Sequence, residues 1–417
     1  MIYKKIGDLI QLVDIRNKDL KVEALLGLTI NKKFIQSVAN TIGTDMSNYK
    51  LIRKNQFACS IMQVRRDKKM PVALLKDIDV AIISQAYPIF EVKDENEILP
   101  DYLMLWFSRP EFDREACFHA VGGVRGSLEW EDFCAMELPV PSIDKQRQIV
   151  AQYQIITDKI KVNEQICTTL EASAQALYKH WFVDFEFPDE RGKPYKSSGD
   201  KMVWNEELEK EIPKGWKVTT LSEICVFIDG DRGSNYPTQS DFHKNEYCLF
   251  LNAGNVTKIG FDFSVCSYIT KDKDESLRKG KLNTNDIVLT SRGTVGNIAL
   301  YSEQIEIKNI RINSGMLILR PKIKAAFLYT LLKSSEFTKQ IEKYISGSAV
   351  PQLPIKDLSA IKIIKAKDVV MNEFSDKVKP YYTLIDSIKR QNIQLTKLQN
   401  LMLSRLATLQ KNQLEYA

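Results

Sequence analysis

The sequence predicts an α+β protein in which two similar α/β globular modules are separated by two long helices. These helices are expected to form an antiparallel coiled coil, which makes the molecule pseudo-twofold symmetric. The first supporting observation is an internal repeat, because residues 102–181 align without a gap with residues 327–406, at an offset of 225. That period is too long for a solenoid and indicates a duplicated module followed by a helix. The second observation is a heptad pattern at the end of each copy. Two equivalent halves suit a target that consists of two half-sites.

The predicted domains follow the order of this repeat. At 417 residues the chain has room for two or three domains, each with its own core. The segment between the copies is rich in Pro, Gly, Ser and Lys, a composition typical of a connection between domains. The predicted boundaries are a first module 1–141, a first helix 142–187, a linker 188–215, a second module 216–366, and a second helix with the C-terminal tail 367–417.

The composition is that of a globular protein in a reducing compartment. Hydrophobic residues make up 44% of the chain, and no apolar run approaches the ~18 residues that a membrane helix needs. The seven cysteines are scattered singly and the N-terminus lacks the apolar core of a signal peptide, so we expect a cytoplasmic protein. The three histidines are far apart, and we therefore expect no metal site. A net charge of +6 weakly favours a polyanionic partner.

The first long helix is predicted from apolar residues that alternate in steps of four and three over nearly five heptads. Residues 149–181 correspond to a rod of about 50 Å. This length argues against the alternative, an ordinary amphipathic helix packed only on its own module. The predicted seam consists of Ile149, Tyr153, Ile156, Ile160, Asn163, Cys167, Leu170, Ala174, Leu177 and Trp181.

The second long helix has the same phase, and each seam contains one asparagine. With full antiparallel overlap the fifth layer of one helix faces the sixth of the other, so we expect Asn163 and Asn392 to pair their amides and fix the register. Pro380 lies inside this helix and is expected either to kink it or to mark its true start. The predicted second seam consists of Phe374, Val378, Tyr381, Ile385, Ile388, Asn392, Leu395, Gln399, Met402 and Leu406.

The globular modules mix short strands with helical patches, and several of these elements correspond between the copies. Residues 6–9 and 221–224 open the two modules alike, and residues 57–60 and 287–290 are predicted to be matching strands. Each of these strands leads into a loop that precedes another apolar run. The loop is basic in the first module, residues 65–69, and rich in glycine in the second, residues 291–296.

These loops supply the candidate DNA-binding residues. Residues 50–76 contain eight Lys or Arg against one Asp, and a cluster of cations at a hairpin tip is favoured by a phosphate backbone through counterion release. A solvated turn is the alternative. The two glycines near Arg292 allow close backbone approach to a ligand, and arginine commonly reads guanine in the major groove. The candidates are Lys50, Arg53, Arg65, Arg66, Lys68, Lys69 and Arg125 in the first module, and Arg232, Ser291, Arg292 and Thr294 in the second.

The sequence lacks the motifs of the enzymes that most often act on nucleic acids. It contains no Gly-x-x-x-x-Gly-Lys nucleotide loop and no Asn/Asp-Pro-Pro-Tyr/Phe motif of amino-methyltransferases. His-Glu-x-x-His and Gly-x-Ser-x-Gly are absent as well. We therefore expect a protein that recognises its target without catalysis.

The end of the first helix carries a specific resemblance. The string LYKHWFVDFEFP at residues 177–188, followed by GKPYK at 192–196 and IPKGW at 212–216, resembles the central conserved region of specificity subunits of type I restriction–modification systems. The order of module, helix, linker, module and helix is similar to that family over essentially the whole chain. The resemblance implies two target-recognition domains, each reading one half of a bipartite double-stranded DNA sequence, with the helices as a spacer that sets the gap.

The same resemblance implies the partners and cofactors. It implies docking of two methyltransferase subunits and two restriction subunits, with S-adenosylmethionine, ATP and magnesium bound by those partners rather than by this chain. One alternative is an equivalent subunit that serves a single fused methylase–nuclease polypeptide. Another is a coiled-coil scaffold whose basic loops are merely solvated, and a stand-alone nuclease or methylase is opposed by the missing motifs.

Overall fold

The structure, a computed structural model, describes residues 2–37, 43–122, 126–347 and 350–407. The chain divides into two compact units. Unit 1 contains residues 1–162 and 392–417, and unit 2 contains residues 163–391. The division passes through both long helices, so each unit holds one globular module and a part of each helix.

Unit 1 contains the first module, and its short elements follow from alternating apolar residues and from proline at helix starts. Pro100 and Pro110 occupy the first turns of two helices, where the missing N–H is not needed. The elements are β1 Ile2–Lys5, α1 Ile6–Leu9, β2 Ile10–Val13, β3 Leu26–Leu28, β4 Phe34–Gln36, β5 Lys50–Arg53, β6 Phe57–Cys59, α2 Val64–Asp67, β7 Val72–Leu74, β8 Val80–Ile83, β9 Ile89–Val92, α3 Pro100–Phe107, α4 Pro110–His119, α5 Trp130–Ala135, β10 Glu137–Val140 and α6 Ile143–Tyr178, which continues into unit 2.

A four-stranded antiparallel sheet in the order β2-β9-β6-β7 forms the centre of the first module. Its inner face packs on α3, α4 and α5 through aromatic rings, among which Phe57 and Phe90 stack at 4.9 Å between centroids. Strands β1 and β10 pair antiparallel, with Ile2 opposite Val140, so the module begins and ends at one place.

Unit 2 repeats this plan with a larger insertion. A capping serine shows how its helices start: the Ser334 hydroxyl accepts a hydrogen bond from the Phe337 amide. The elements are a π-helical turn Lys179–Val183, β11 Met202–Asn205, β12 Lys210–Pro213, β13 Lys217–Thr220, α7 Leu221–Ile224, β14 Cys225–Asp229, β15 Cys248–Leu251, β16 Val256–Thr257, β17 Gly260–Phe261, β18 Tyr268–Ile269, α8 Lys271–Ser276, β19 Ile287–Thr290, β20 Ile298–Leu300, β21 Ile310–Ile312, β22 Met316–Pro321, α9 Ala325–Leu332, α10 Ser335–Glu342, α11 Ile355–Ser359, β23 Lys362–Lys365 and α12 Asp368–Arg405, whose end lies in unit 1.

The predicted correspondence between the modules is confirmed at the level of elements. The central sheet of unit 2 has the order β14-β22-β19-β20, which places β19 where unit 1 has β6. Strands β10 and β23 differ in position by 225 residues, and so do the first residues of α6 and α12. The predicted strands at residues 57–60 and 287–290 are β6 and β19, and the apolar runs that follow them are β7 and β20.

The two long helices run antiparallel within each unit. In unit 2, Asn163 Nδ2 donates to Gln391 Oε1 at 2.8 Å, and Ala174 shares a core with Phe374, which is earlier in α12. In unit 1, Gln399 Nε2 donates to Thr157 Oγ1 at 2.8 Å. The pairing of Asn163 with Asn392 stays a prediction. Every position of the two predicted seams is buried or half-buried, including Ile160, Leu170, Leu177, Leu395 and Met402.

Pro380 does not mark the start of the second long helix, because α12 begins at Asp368. The proline lies in the fourth turn of the helix and is exposed. It removes a single backbone donor on the solvent side, where water can satisfy the carbonyl that is left. The first layers of the seam, Phe374 and Val378, are fully buried. The helix therefore tolerates the proline by keeping it away from the seam.

The predicted linker is an ordered part of unit 2. Residues 202–213 form the hairpin β11–β12, with Met202 opposite Pro213. Before it, Phe182 packs edge-on against Phe327 and Phe374, each at 5.0 Å between centroids. Trp216 stacks on Phe187 at 4.8 Å. Local composition indicated a connection, and most residues of the linker are indeed exposed, but the aromatic side chains on both sides of it pack within unit 2.

A buried ion pair fastens the β3–β4 hairpin to the first module. The Lys32 ammonium lies 2.8 Å from the Asp113 carboxylate and also donates to the Phe107 carbonyl, and Asp113 accepts from the Met70 amide at 3.0 Å. Burial lowers the pKa of Lys32 despite the attraction of Asp113. The pair therefore links the hairpin to the end of the loop that contains the basic residues 65–69.

We expect Lys32→Met to destabilise the protein by about 3 kcal/mol, because Asp113 would remain buried without its counter-charge. The measurement is the shift of the urea unfolding midpoint of the full chain. Lys33→Met, at the neighbouring position, is the control and should change stability by less than about 0.5 kcal/mol. Equal midpoints for the two variants would show that the pair does not hold the hairpin.

Two features are absent from the part of the chain that the structure describes. No helix in those ranges is both long and apolar enough to span a membrane. Among the same residues, no three His, Cys, Asp or Glu side chains are grouped as metal ligands.

Candidate nucleic-acid interface

Each module presents three loops at the same end of its central sheet. In unit 1 these loops follow β2, connect β6 to β7, and precede β9; we call them loop face 1. In unit 2 the loops follow β14, connect β19 to β20, and precede β22; we call them loop face 2. Strand pairing decides this placement, since Thr290 at the end of β19 lies opposite Met316 at the start of β22. Equivalent topology thus produces equivalent loop faces.

Loop face 2 is joined by hydrogen bonds from several loops to residues 313–315. The amides of Ser291 and Arg292 donate to the Gly315 carbonyl at 2.8 and 3.2 Å. Arg232 Nη2 donates to the Ser314 carbonyl at 3.3 Å. Gly230 is required here, because a Cβ atom at this position would lie 2.1 Å from the carbonyl oxygen of Asn313. The loops therefore present Arg232 and Arg292 from one connected surface.

A buried carboxylate organises the second part of loop face 2. Asp231 accepts from the amides of Gly233 at 2.7 Å and Arg278 at 2.6 Å. The Gly233 hydrogen bond, followed by that from Arg278, holds the pKa of Asp231 below its usual range. Asp231 therefore stays ionised and fixes the backbone of residue 278. The Arg278 side chain remains 75% exposed, and its guanidinium lies 3.9 Å from that carboxylate.

Arg292 is the cation of this face best placed for a ligand. Its side chain is exposed, and among the residues that the structure describes its guanidinium has no ion-pair partner. The backbone is held on both sides, because Gly293 N donates to the Pro351 carbonyl at 3.0 Å and Leu353 N donates to the Ser291 carbonyl at 2.9 Å. An arginine on a rigid backbone with a free guanidinium is suited to a phosphate or a guanine edge. Thr294 is exposed on the same loop.

Ser291 is not placed to contact a ligand, although the sequence made it a candidate. Only 5% of the Ser291 surface is exposed to solvent, and its hydroxyl donates a hydrogen bond to the Gly315 carbonyl at 3.1 Å. The residue comes directly after the last position of a buried strand, so its side chain is used to join two loops. Sequence position alone did not distinguish it from its exposed neighbours.

Loop face 1 contains a helical turn where a hairpin tip was expected. Residues 64–67 form α2, and Gln63 and Lys68 on either side of it have left-handed backbone conformations. Lys68 and Lys69 have no ion-pair partner among the described residues, and neither is buried. Arg66 pairs with Asp67 at 2.7 Å, and this contact holds the pKa of Asp67 below its usual range. The charge of Arg66 is thus already matched within the loop.

Arg65 contributes hydrogen bonds to the structure of loop face 1 in addition to its positive charge. Its amide donates to the Gly126 carbonyl and its guanidinium to the Gly122 carbonyl, both at 3.3 Å. A Cβ atom at Gly126, whose φ is +37°, would lie 2.6 Å from Arg65 Cβ, so glycine is needed for this approach. Arg65 therefore joins the basic turn to Gly122 and Gly126. The predicted contact residue Arg125 lies outside the described residues.

The basic residues between 50 and 76 do not form a single cluster, contrary to the sequence prediction. Arg53 is the last residue of β5 and Lys54 follows it in the turn that precedes β6, at the end of the sheet opposite loop face 1. Lys50 is at the correct end, but its side chain is only 13% exposed and donates to the Tyr87 carbonyl. The alternation of strand direction separates residues that are close in sequence. The structure therefore does not place Arg53 or Lys50 for direct contact with a ligand at loop face 1.

Comparison with known proteins finds relatives of one kind over most of the chain. A family model described as the type I restriction modification DNA specificity domain matches residues 213–397. The MjaIX specificity subunit of a type I restriction enzyme from Methanocaldococcus jannaschii is 27% identical over 318 residues, which cover 74% of this chain and 68% of that protein. The HindI specificity subunit of Haemophilus influenzae is 24% identical over 442 aligned positions, covering 91% of this chain and 92% of the relative.

This chain is thus similar to type I restriction enzyme specificity subunits over most of its length, and the domain match lies in its second half. The crystal structure of an S subunit of a type I restriction–modification system from M. genitalium shares the fold. It has a TM-score of 0.53 and 16% identity, covering 97% of this chain and 96% of that one. The chain thus shares with that S subunit a fold of two globular modules and two long helices.

The sequence prediction missed two arginines that the fold brings to the loop faces. Arg278 reaches loop face 2 through its amide contact with Asp231, which is 47 residues away in sequence. Arg16 lies in loop face 1, where its guanidinium donates to the Asn48 carbonyl at 2.8 Å and pairs with Asp14 at 3.0 Å. Arg278 is followed by Lys279, Gly280 and Lys281, and this basic, glycine-containing run is a signal that could have identified it. Arg16 lies outside the run of cations at residues 50–76 that supplied the other candidates of the first module.

Proposed function

We propose that this specificity subunit reads a bipartite double-stranded DNA target, with one half-site bound by each loop face. The first recognition module is residues 1–141 and the second is residues 216–366. The observation that carries the proposal is the equivalence of the two loop faces: two sheets with the same strand order present exposed cations from the same end. Exposed arginine and lysine on a loop surface supply phosphate contacts, and arginine also reads bases.

The helix pair is the spacer in this proposal. The stretches that join the modules consist of α6 and α12, whose seams are apolar apart from a few polar layers such as those of the asparagines. An antiparallel coiled coil is stiff over several turns, so it keeps a fixed distance between modules attached at its two ends. The polar contact between Asn163 and Gln391 fixes the register in which the helices pair. A fixed register favours one gap length between the half-sites.

Within a restriction–modification complex, the chemistry belongs to the partner subunits in this proposal. Two methyltransferase subunits and two restriction subunits would dock on this chain and would bind S-adenosylmethionine, ATP and magnesium. The sequence carries no nucleotide-binding or amino-methyltransferase motif, which supports assigning recognition alone to this chain. Purification of the assembled complex separates this composition from a single fused methylase–nuclease partner.

The proposal is tested by mapping methylated adenines in the host genome with long-read sequencing, with and without this gene. Deletion is expected to remove methylation from one bipartite motif and to leave all other motifs unchanged. Restoring the gene on a plasmid should restore that motif. An unchanged set of methylated motifs after deletion would rule out this function and would favour a scaffold.

Lys68→Gln combined with Lys69→Gln is expected to reduce the salt dependence of DNA binding, lowering the slope of log K against log salt by about two, because each lysine accounts for one phosphate. The measurement is fluorescence anisotropy titration of a labelled target duplex at several salt concentrations. The matched control is Arg53→Gln combined with Lys54→Gln, which removes the same charge at the other end of the sheet. A similar slope change in both variants would contradict the assignment of loop face 1.

A further inference from the structure

A network of charged side chains connects the second module to both long helices within unit 2. We call Glu171, Ser302, Lys333, Asp386 and Lys389 the junction network. Glu171 belongs to α6, and Asp386 and Lys389 belong to α12. Ser302 follows β20, and Lys333 directly follows α9. These residues are separate in sequence and meet where the module lies on the helices.

Two lysines of the junction network bind one tight turn of the module. Lys333 Nζ donates to the Lys258 carbonyl at 3.3 Å, and Lys389 Nζ donates to the carbonyl of the next residue, Ile259. The turn joins β16 to β17 and depends on Gly260, whose φ is +106°. A Cβ atom at Gly260 would lie 2.9 Å from Lys389 Nζ. The turn is therefore shaped to receive both ammonium groups.

Two carboxylates compensate the lysines. Glu171 forms an ion pair with Lys333, whose side chain is only 12% exposed. Asp386 accepts a hydrogen bond from the Ser302 hydroxyl at 2.5 Å. Burial raises the pKa of Asp386 and lowers that of Lys389, although their mutual attraction opposes both shifts. Charges in such surroundings are costly unless they keep their partners, so the network favours one geometry.

The first half of the repeat has different residues at the equivalent positions. Positions 225 residues earlier than Lys333, Asp386 and Lys389 are Ser108, Lys161 and Glu164, and the position 225 residues after Glu171 is Thr396. Lys161 and Glu164 are exposed, and the Ser108 hydroxyl donates within its own helix to the Met104 carbonyl. A module of this fold therefore packs on its helix without these charges. Their presence in the second half calls for a separate role.

We propose that the junction network holds the second module at a fixed angle on the helix pair. It thereby makes the protein discriminate between the native gap and gaps that are one base pair shorter or longer. This inference rests on the proposed function. One added base pair moves a half-site by about 3.4 Å and rotates it by about 35°. A module held by several half-buried charged contacts resists that displacement, whereas a module held by apolar packing alone follows it at lower cost.

The test uses the assembled complex in its host. After the motif is mapped, plasmids carry both half-sites with the native gap, one base pair fewer, or one more, and long-read sequencing gives the methylated fraction of each. Lys389→Met keeps the length of the side chain and removes its charge. We expect methylation at the native gap to stay within about twofold of wild type, and discrimination against the altered gaps to fall about tenfold.

Two control variants separate this effect from a general loss of stability. Glu164→Met changes the exposed position equivalent to Lys389 in the repeat and should leave gap discrimination unchanged. Ile318→Val trims a buried side chain of the central sheet of unit 2, outside the junction network, and should lower the melting temperature without altering the gap preference. Broadened gap preference in either control would overturn the proposal.

A second variant decides the case in which Lys389→Met abolishes native-gap methylation. Ser302→Ala removes only the hydroxyl that contacts Asp386, and it should broaden the gap preference by a smaller factor. In that case, undiminished discrimination in Ser302→Ala would refute the role of the junction network. Undiminished discrimination in a Lys389→Met protein that still methylates the native gap would refute it as well. Failure of the proposed function has a different signature, because the wild-type gene would then confer no methylation on the native-gap plasmid.

Discussion

Exchanging residues 1–141 for the first recognition module of a type I specificity subunit with a different target is expected to change one half of the methylated sequence completely. The other half and the gap should stay the same. The reason is that loop face 1 and the cores of the first module are built only from unit 1 residues. Because each mismatched base pair costs about 1–3 kcal/mol, two altered positions already reduce affinity for the old site by at least about thirtyfold.

The fold makes this exchange practicable. Strands β1 and β10 lie side by side, so both ends of the module are close together and the cut after Pro141 falls before α6. The module taken from the other protein should preserve the contacts with Gln146. This side chain is fully buried, and its amide oxygen accepts a hydrogen bond from the Leu99 amide at 2.9 Å.

The measurement is the methylated motif read by long-read sequencing of cells that carry the exchanged gene. The reciprocal exchange of residues 217–365, whose end strands β13 and β23 also pair, is the control and should change only the other half. A change in both halves after a single exchange would show that the modules do not read independently.

Replacing Arg232, Arg278 and Arg292 together with alanine is expected to weaken DNA binding about a thousandfold. Hydrogen bonds to charged groups contribute at least about 1.5 kcal/mol each, and the three side chains project from one hydrogen-bonded surface. The salt slope should fall by about three at the same time, since each arginine accounts for about one phosphate. The backbone contacts that shape loop face 2 do not involve these side chains, except for the Arg232 contact with Ser314.

The measurement is anisotropy titration of the mapped target duplex with the purified complex. The matched control replaces three lysines, Lys308, Lys322 and Lys324, which lie at the opposite end of the same module and carry the same total charge. The control variant should bind within about threefold of wild type, because distant charges near solvent are largely screened. Equal weakening in both variants would mean that net charge, rather than loop face 2, governs binding.

Much of the fold was predictable because its signals are local or periodic. The offset of 225 residues is visible in the sequence, and the starts of α6 and α12 reproduce it. Strands such as β6 and β19 were recognised from short apolar runs. The heptad pattern indicated which helix positions are shielded from water, and those positions are buried or half-buried.

The candidate interface was harder to predict because it depends on pairing between distant segments. Arg53 and Lys68 are close in sequence but lie at opposite ends of one sheet, since the strand between them reverses their positions. Arg278 was not recognised at all, because a single contact with Asp231 brings it to loop face 2. Ser291 and Arg292 are neighbours, and only the packing of residues 313–315 makes one buried and the other exposed.

The sequence by itself determined the duplicated architecture, the two long helices and their apolar seams. These features follow from repetition and from the periodic removal of side chains from water, which a linear string records directly. Tertiary structure alone decided which cations share a loop face and how the second module is fastened to its helices. Electrostatic contacts act over a few ångströms in space, and the chain separation between residues such as Glu171 and Lys333 contains no information about that distance.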